Sequence, residues 1–404
     1  MKVLVVCDSH PLPASDGMRL HLAGLLPHLS RHHDVRLITL TRAGDEVDAS
    51  ALRRLGVQRW RGVPASRTTR WGRLRQEVPA LLRRRPVLVQ QTLESGLAEA
   101  VAAEVARDRP DVVHLQPGWV TALAAHTSGV PVVAVPLDAA APNLEAQAAS
   151  IQGLRRLLVR RELRRTKAFE QRAYAGCEAV VVVSERDAEI LRRQDRRLQP
   201  YVVPNGIDSE RWRRPSTALR EPDLVVLTGA LSYPPNVDAA VFAAREVMPR
   251  LLALRPGARL ALVGRDPAPE VQALAGDRVT VTGTVPDIAP WLWRAGAYLC
   301  PMRTGTGIKN KLLEALAAGC PVVATPFATG GLDVLAERDL LVAADAAGLA
   351  EALARVLADA SEADRLGKSA AERAGAQSWA RAAAQFGAAY ASAGGPVSGG
   401  LPPP

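Results

Sequence analysis

The chain is poor in aromatic residues and in cysteine. Phe, Trp and Tyr make up 4% of its 404 residues, and it has four cysteines. The cysteines form no Cys-x-x-Cys pair and have no histidines at zinc-site spacing, and three of them lie in or beside apolar, strand-like runs. We therefore expect buried, reduced thiols and neither disulfides nor structural zinc. The scarcity of aromatic rings also argues against binding of single-stranded nucleic acid, which stacks its bases on such rings.

Long apolar runs are also missing. No stretch of about 18 apolar residues occurs, and the apolar run that follows Lys2 is too short for the core of a signal peptide. The sequence thus predicts neither a membrane-spanning helix nor a secretory signal, and we expect a cytoplasmic protein.

Acidic residues are outnumbered by basic ones. There are 51 Lys and Arg against 41 Asp and Glu, a formal net charge of +10. The excess lies mainly in two arginine-rich segments, 53–85 and 155–172. Trp and Leu side chains interleave with the first segment, which suits peripheral contact with an anionic membrane or a phosphorylated acceptor. The alternative is that both segments are solvated helix faces. No nucleic-acid-binding motif accompanies the charge, so nucleic acid is not expected as a partner.

Short β-branched runs alternate with segments of helical periodicity along the whole chain. They include KVLVVC, DVRLITL, DVVHLQ and VPVVAVPL in the first half, and LVVLTG, RLALVG, VTVTG and AYLC in the second. This alternation predicts α/β domains with doubly wound parallel sheets, and the length suffices for two. His114 lies within a strand pattern and is expected in the core. Asp138 ends a strand, at the edge where open α/β sheets bind ligands.

The segment 301–326, PMRTGTGIKNKLLEALAAGCPVVATP, has the strongest site pattern. Its loop contains Arg303, Gly305, Gly307, Lys309 and Lys311. A helix follows and is expected to stop at Gly319, before a β-branched strand. Free N–H groups at a helix start, combined with cationic side chains, favour a phosphate or diphosphate. Glu314 shares a helix face with Lys311, where a carboxylate can accept hydrogen bonds from two ribose hydroxyls.

The string GTGIKNKLLEALAAGCPVVAT resembles the donor-site signature of retaining, two-domain nucleotide-sugar glycosyltransferases, known as glycosyltransferase family 4 or glycosyl transferases group 1. The resemblance implies a GT-B architecture, with two Rossmann-like doubly wound parallel-sheet domains facing across a cleft. In that family two glutamates separated by seven residues line the donor site. Glu314 matches the second, which contacts the ribose, but Thr306 stands in place of the first. Sugar recognition is therefore expected from the loop residues Gly305, Thr306, Gly307 and Ile308.

The resemblance also implies a donor contact in the loop after the first strand. There Gly17 and Arg19 match the second glycine and the arginine of the family pattern, while Asp16 replaces the first glycine. Asp16 is a residue type that caps helices.

Further donor contacts are expected in the second half of the chain. Gly229 and Asn236 bound the segment that the resemblance places over the diphosphate, and the lysine that many family members carry there is missing. Gly264, Arg265 and Val285 lie at strand ends on the same edge, where backbone groups can hold the nucleobase.

The string VVPNGID resembles the family's crossing from the first domain to the second. We therefore expect an acceptor-side domain over 1–202 and a donor domain over 203–376. The segment SWARAAAQF resembles the closing helix that crosses back to the first domain, expected over 377–392 with Trp379 as its anchor. The remainder, 393–404, is composed of residues typical of a disordered tail.

The implied activity is transfer of a sugar from a nucleotide-diphosphate sugar to an acceptor, with retention of configuration. The acceptor would be a lipid-linked glycan or exopolysaccharide intermediate, or a small secondary metabolite. Arg303, Lys309 and Asp138 are the candidate catalytic residues. The two cations would stabilise the departing diphosphate, and Asp138 would contact the acceptor. Because the sequence has no Asp-x-Asp pair, neither a metal nor a further cofactor is expected. A nucleotide-sugar epimerase of the same fold and a non-catalytic nucleotide-sugar-binding protein stay open as alternatives.

Overall fold

A computed structural model describes residues 1–14, 16–41, 48–65, 85–305 and 307–394. The chain divides into two compact units. The first consists of Met1–Gly206 together with Trp379–Pro404, and the second of Ile207–Ser378. The first change of unit falls within the VVPNGID string, and the second falls directly before Trp379.

The first unit is organised on a parallel sheet. Its strands in the described residues are β1 (Lys2–Cys7), β2 (Asp34–Thr41), β3 (Arg59–Pro64), β4 (Val112–Gln116), β5 (Val132–Leu137), β6 (Ala179–Val182) and β7 (Tyr201–Val202). They pair in parallel in the spatial order β3-β2-β1-β4-β5-β6-β7. The central strands are buried on both faces, as expected for valine-rich strands covered by helices on each side.

Helices lie between these strands. They are α1 (Gly17–Leu29), α2 (Ala49–Arg54), α3 (Val87–Leu93), α4 (Leu97–Arg107), a 3₁₀ helix (Gly118–His126), α5 (Ala141–Ser150), α6 (Gly153–Ala175) and α7 (Glu185–Gln194). The strand–helix alternation expected from the sequence is therefore present in this unit. The second arginine-rich segment lies on α6, whereas 66–84, the larger part of the first segment, lies outside the described residues. Arg59, at the start of β3, pairs with Asp34 at 2.6 Å and with Asp108 at 3.3 Å.

The second unit repeats this plan. Its described strands are β8 (Glu221–Thr228), β9 (Arg259–Val263), β10 (Val279–Val281), β11 (Ala295–Cys300), β12 (Val322–Ala324) and β13 (Leu341–Val342). They are parallel in the order β10-β9-β8-β11-β12-β13, the same central crossover as in the first unit. The helices are α8 (Ser209–Trp212), α9 (Pro234–Phe242), a π-helical turn (Ala243–Val247), α10 (Met248–Leu254), α11 (Pro269–Gln272), α12 (Ala289–Arg294), α13 (Asn310–Ala317), α14 (Pro326–Thr329), α15 (Ala346–Ala358) and α16 (Ala360–Gly375).

A last helix, α17 (Trp379–Gly394), packs within the first unit. Trp379 is buried against α1, where the absence of a side chain at Gly24 makes room for its indole ring. The helix extends two residues into the segment predicted as a disordered tail, and 395–404 lies outside the described residues. The apolar face of α17, which begins at Trp379, therefore completes the core of the first unit.

His114 lies in this core, as the strand pattern predicts. Its Nδ1 is 2.7 Å from the Tyr390 hydroxyl and its Nε2 is 3.1 Å from Gln116 Oε1. Burial lowers the pKa of His114 to about 4 and that of the neighbouring His21 to about 3. Both imidazoles are therefore neutral at neutral pH and belong to the packing of α17.

The expectations for the cysteines and for membrane-spanning helices can both be compared with the structure. All four cysteines are free, and burial raises the pKa of Cys7, Cys177 and Cys320 to about 12, which makes these thiols poor nucleophiles. Across the described part of the chain, no helix combines the length and the apolar character that membrane crossing requires.

The contact between Gly24 and Trp379 leads to a stability prediction. Gly24→Ala should lower the free energy of unfolding by about 1–3 kcal/mol, because the added methyl group would lie 2.1 Å from Trp379 Cε2. The control is Gly387→Ala in α17, whose methyl group would meet only His33 Nε2 at 3.7 Å and should stabilise by about 0.5–1 kcal/mol through helix propensity. Urea unfolding measures both variants, and equal stabilities would contradict this packing.

The buried histidines predict acid sensitivity. Their folded-state pKa values lie below the usual 6.5, so the unfolded chain binds more protons as the pH falls from about 6.5 towards 4. Stability should therefore be full above pH 6.5 and decline through that window. Replacing one of these groups, in His21→Leu, should flatten the decline measured by urea unfolding at several pH values. The exposed-site control His32→Gln should leave it unchanged, and an unaltered slope in His21→Leu would refute this explanation.

Candidate active site

The loop between β11 and α13 has the backbone that its glycines predict. Gly305 and Gly307 have φ of 111° and 64°, in the left-handed region that favours glycine. Helix α13 runs over Asn310–Ala317, and Gly319 follows its end with φ of 65°, so the predicted helix stop is confirmed. Thr306 lies outside the described residues. The loop therefore leads directly into the amino end of an eight-residue helix, where unpaired N–H groups attract anions.

Two cations of this loop have different surroundings. Lys309 is buried, its Nζ donates to the Gly307 carbonyl at 2.9 Å, and it lies 5.2 Å from the centre of the Phe327 ring. Arg303 is exposed and forms a two-pronged ion pair with Asp238, at 2.6 and 3.1 Å. The charge of Arg303 is thus already balanced by a carboxylate.

Lys311 is one of the loop cations expected to favour a diphosphate, and it lies next to Gly229 and Asn236. Its Nζ donates to Asn236 Oδ1 and is 3.4 Å from Met302 Sδ. A Cβ atom on Gly229 would lie 3.4 Å from the same Nζ and 2.8 Å from Asn236 Nδ2. Burial lowers the pKa of Lys311. A half-buried ammonium group thus lies beside the backbone of Gly229, in the segment where the lysine of many family members is missing.

The predicted strand-end residues Gly229 and Gly264 are in direct contact. A Cβ atom on Gly264 would lie 1.7 Å from the Gly229 carbonyl oxygen, so only glycine fits there. Asn236 is held in the same corner, because its Nδ2 donates to the Ala230 carbonyl at 2.9 Å. Gly305 joins this group from the loop, since its Cβ position is 3.5 Å from Pro235. The structure therefore brings the two predicted donor segments together.

Glu314 lies one turn of α13 beyond Lys311. Burial raises its pKa to about 7, while Arg211 and Lys311 act in the opposite direction. Within the described residues its carboxylate receives no hydrogen bond, so its oxygens are available to hydroxyl groups. Arg211 reaches this region because α8 packs against α13, a contact that the sequence does not reveal.

The remaining predicted residues of the second unit, Arg265, Val285 and Ile308, contact other groups of the protein. The Arg265 side chain is 3.2 Å from Asp266, and its carbonyl accepts from the Leu231 N–H at 2.9 Å. Val285 is half-buried and packs on the core, and Ile308 is buried.

The predicted residues of the first unit lie at the start of α1 and directly after β5. Asp16 Oδ1 accepts from the Arg19 N–H at 3.0 Å, so the predicted cap of α1 is confirmed. Gly17 is the exposed first residue of that helix, and the buried Arg19 side chain is 3.4 Å from Asp16. Asp138 follows β5 and is half-buried, near Glu170, whose pKa burial raises to about 7.

The chemistry that this arrangement supports is recognition of an anion with nearby hydroxyl groups. Lys309, Lys311 and the amino end of α13 supply positive potential, and the Glu314 carboxylate beside them can accept hydrogen bonds from a ligand. Among the described residues, no group of three or more His, Cys, Asp or Glu side chains is placed to hold a metal ion.

Family models match both halves of the chain. Residues 15–211 match a family described as Glycosyltransferase Family 4, and residues 222–359 match one described as Glycosyl transferases group 1. In the curated set, an exopolysaccharide phosphotransferase of Streptomyces coelicolor is 30% identical over 193 residues, which is 45% of this chain. The matched part is 20% of that protein, so this chain spans about a fifth of the relative's length.

Solved structures share the fold over nearly the whole chain. Sucrose-phosphate synthase from Thermosynechococcus elongatus is 21% identical with a TM-score of 0.68, covering 96% of this chain and 98% of that one. Anabaena HepE, in a complex with UDP and glucose, is 14% identical with a TM-score of 0.68, again covering 96% and 98%. At these identities the similarity establishes the fold.

The two family models together cover most of the chain, with one mainly in each unit. The paired parallel sheets have the topology of two Rossmann-like domains. This chain is therefore a glycosyltransferase of the GT-B fold, and it belongs to glycosyltransferase family 4, the glycosyl transferases group 1.

Proposed function

We propose that the protein transfers a hexosyl residue from a nucleotide-diphosphate sugar to an acceptor, with retention of anomeric configuration and without a metal. The acceptor is a lipid-linked glycan or exopolysaccharide intermediate, or a small metabolite. The observation that carries the proposal is the half-buried Lys311 ammonium group beside Gly229 and Asn236, one helical turn from the half-buried Glu314.

The diphosphate binds where a lysine ammonium group lies next to the backbone of Gly229. Lys311 and Asn236 face the backbone of Gly229, and Lys309 lies in the loop before α13. Breaking the sugar–phosphate bond builds negative charge on the departing diphosphate. Lys309, Lys311 and the amino end of α13 stabilise that charge in a site with little competing water. Arg303 acts at longer range, because Asp238 already neutralises it.

The nucleoside binds through its ribose. The two ribose hydroxyls donate to Glu314, and binding favours the ionised carboxylate over the protonated form that burial promotes. Backbone groups around Gly264 and Arg265 hold the base. Contacts to the sugar come from the loop around Gly305, and Asp138 of the first unit contacts the acceptor hydroxyl.

Two relatives support the choice of substrates. HepE has the same fold, and a structure of it is described as a complex with UDP-glucose. The Streptomyces relative is described as acting on exopolysaccharide, which favours a glycan acceptor.

Donor binding tests this proposal directly. We expect one family among UDP-, GDP-, dTDP- and ADP-sugars to raise the thermal unfolding midpoint, since ligand at 100 times its Kd stabilises by about 2.7 kcal/mol. Glu314→Gln should abolish the shift, because the amide cannot accept both ribose hydroxyls as a carboxylate does. Glu351→Gln, an exposed glutamate on α15, is the matched control and should retain the shift.

The absence of a shift with every donor would overturn the proposed donor site. If a donor binds, product analysis then separates the alternatives. A transferase releases nucleoside diphosphate and needs an acceptor, an epimerase yields an isomeric donor, and a binding protein yields no product.

The lysine contacts give a second prediction. Lys309→Ala and Lys311→Met should each slow donor hydrolysis, measured as release of nucleoside diphosphate, by about 100-fold or more, because each removes a cation from the leaving group. Methionine preserves most of the volume of the Lys311 side chain. Lys368→Ala, an exposed lysine on α16, is the control and should hydrolyse donor at the unaltered rate. Rates within about twofold of the unaltered protein for both site variants would refute these roles.

A further inference from the structure

The first unit contains a cavity with five arginines in its lining. Its volume is about 1130 Å³, and it lies between α6, α3 and the 3₁₀ helix. The arginines of its lining are Arg85, Arg161, Arg164, Arg165 and Arg172. No acidic side chain is among the described residues that line it. We call this volume the arginine cavity.

The charge around the arginine cavity is incompletely balanced by the protein. Arg85, Arg164 and Arg172 form no ion pair with an acid within the described residues, and Arg172 instead donates to the Ala168 carbonyl of its own helix. Burial, together with Arg161, lowers the pKa of the Arg165 guanidinium, while Glu162, at 3.9 Å from it, acts in the opposite direction. Like charges around one volume repel each other, so a bound anion would stabilise this arrangement. Guanidinium groups bind phosphate oxygens through paired hydrogen bonds.

A second cavity adjoins the first and is mostly apolar. Its volume is about 700 Å³, and it shares Val89, Phe169 and Arg161 with the arginine cavity. We call it the apolar pocket. At one side it reaches Trp119 and Asp138, at the carboxyl ends of β4 and β5, where open α/β sheets bind ligands.

The rim of the apolar pocket exposes leucines. Leu88 and Leu158 line the pocket and are 46% and 51% exposed. Large apolar side chains at the mouth of a pocket suit a ligand whose own apolar part continues beyond it. Cationic and apolar surfaces thus lie side by side, within one unit and next to the predicted acceptor contact.

We propose that these two cavities together form the binding site of an amphiphilic acceptor, a single lipid phosphate. Its phosphate or diphosphate lies in the arginine cavity, and its chain runs along the apolar pocket past Leu158. That the ligand is the acceptor rests on the function proposed above, whereas the binding site itself does not. The arginines line one concave site that shares residues with the apolar pocket, so we assign to it one lipid molecule rather than an anionic surface at large.

Titration with dodecyl phosphate below its micelle concentration tests the charged part of the site. The full chain is titrated calorimetrically, without donor. Arg164→Gln with Arg172→Gln should weaken binding at least tenfold. The matched control is Arg155→Gln with Arg156→Gln, which removes the same charge from the same helix outside both cavities and should weaken binding less than twofold. Equal weakening in the two double variants, or no binding to the unaltered protein, would overturn the proposal.

The apolar part has its own matched pair. Leu158→Gln should weaken dodecyl phosphate binding about fivefold, while leaving affinity for inorganic phosphate unchanged. Leu154→Gln, on the same helix but outside the pocket, should change neither affinity. If vesicles of anionic phospholipid bind and dodecyl phosphate does not, the arginines recognise a membrane surface and the proposal is wrong.

Failure here can be told apart from failure of the proposed function. The nucleotide-sugar thermal shift uses the same protein and needs no lipid, and the dodecyl phosphate titration needs no nucleotide. Lipid binding without a nucleotide-sugar shift would retain the lipid site and reject its role as acceptor site. A nucleotide-sugar shift without lipid binding would reject only the lipid site.

Discussion

The close approach of Gly229 and Gly264 sets the geometry of the proposed donor site. The end of β9 passes so near the Gly229 carbonyl that any side chain at Gly264 would overlap it. Because the two strand ends lie this close, the turn after β8 directs Asn236 into the same corner, where Lys311 from α13 reaches it. A side chain at either glycine would separate these parts, and the ammonium group would lose both its position and its burial.

The distribution of balanced and unbalanced charge links structure to function in both units. Arg303 has Asp238 as a partner, and Arg59 has Asp34 and Asp108, so these arginines mainly support the fold. Lys311 instead donates to a neutral amide, and the arginine cavity has no described acid in its lining. Neighbouring cations that lack an acidic partner repel one another, and a bound phosphate would relieve that repulsion. The same physical argument therefore predicts a diphosphate in the second unit and a lipid phosphate in the first.

Much of the fold could be predicted from sequence pattern. Runs such as DVVHLQ and RLALVG became central parallel strands because their valines and leucines suit burial on both faces. The cap at Asp16 and the stop at Gly319 followed from local backbone chemistry. The order of the strands could not be predicted in this way, because strand pairing depends on contacts between residues far apart in the chain. The edge strand β3, whose sequence is rich in arginine, has no pattern that distinguishes it from a solvated segment.

By itself, then, the sequence determined the alternation of elements, the glycine-bearing loop of the proposed donor site, and the placement of Glu314 and Lys311 on one helix face. Each of these features depends on residues that are close together in the chain. Only the tertiary structure decided which cations have partners. Asp238 lies 65 positions before Arg303, and Asn236 lies 75 positions before Lys311. The cavities beside α6 likewise form only when α3, α5 and the 3₁₀ helix pack together. Charge balance and enclosed volume depend on distances in space, which a one-dimensional pattern does not specify.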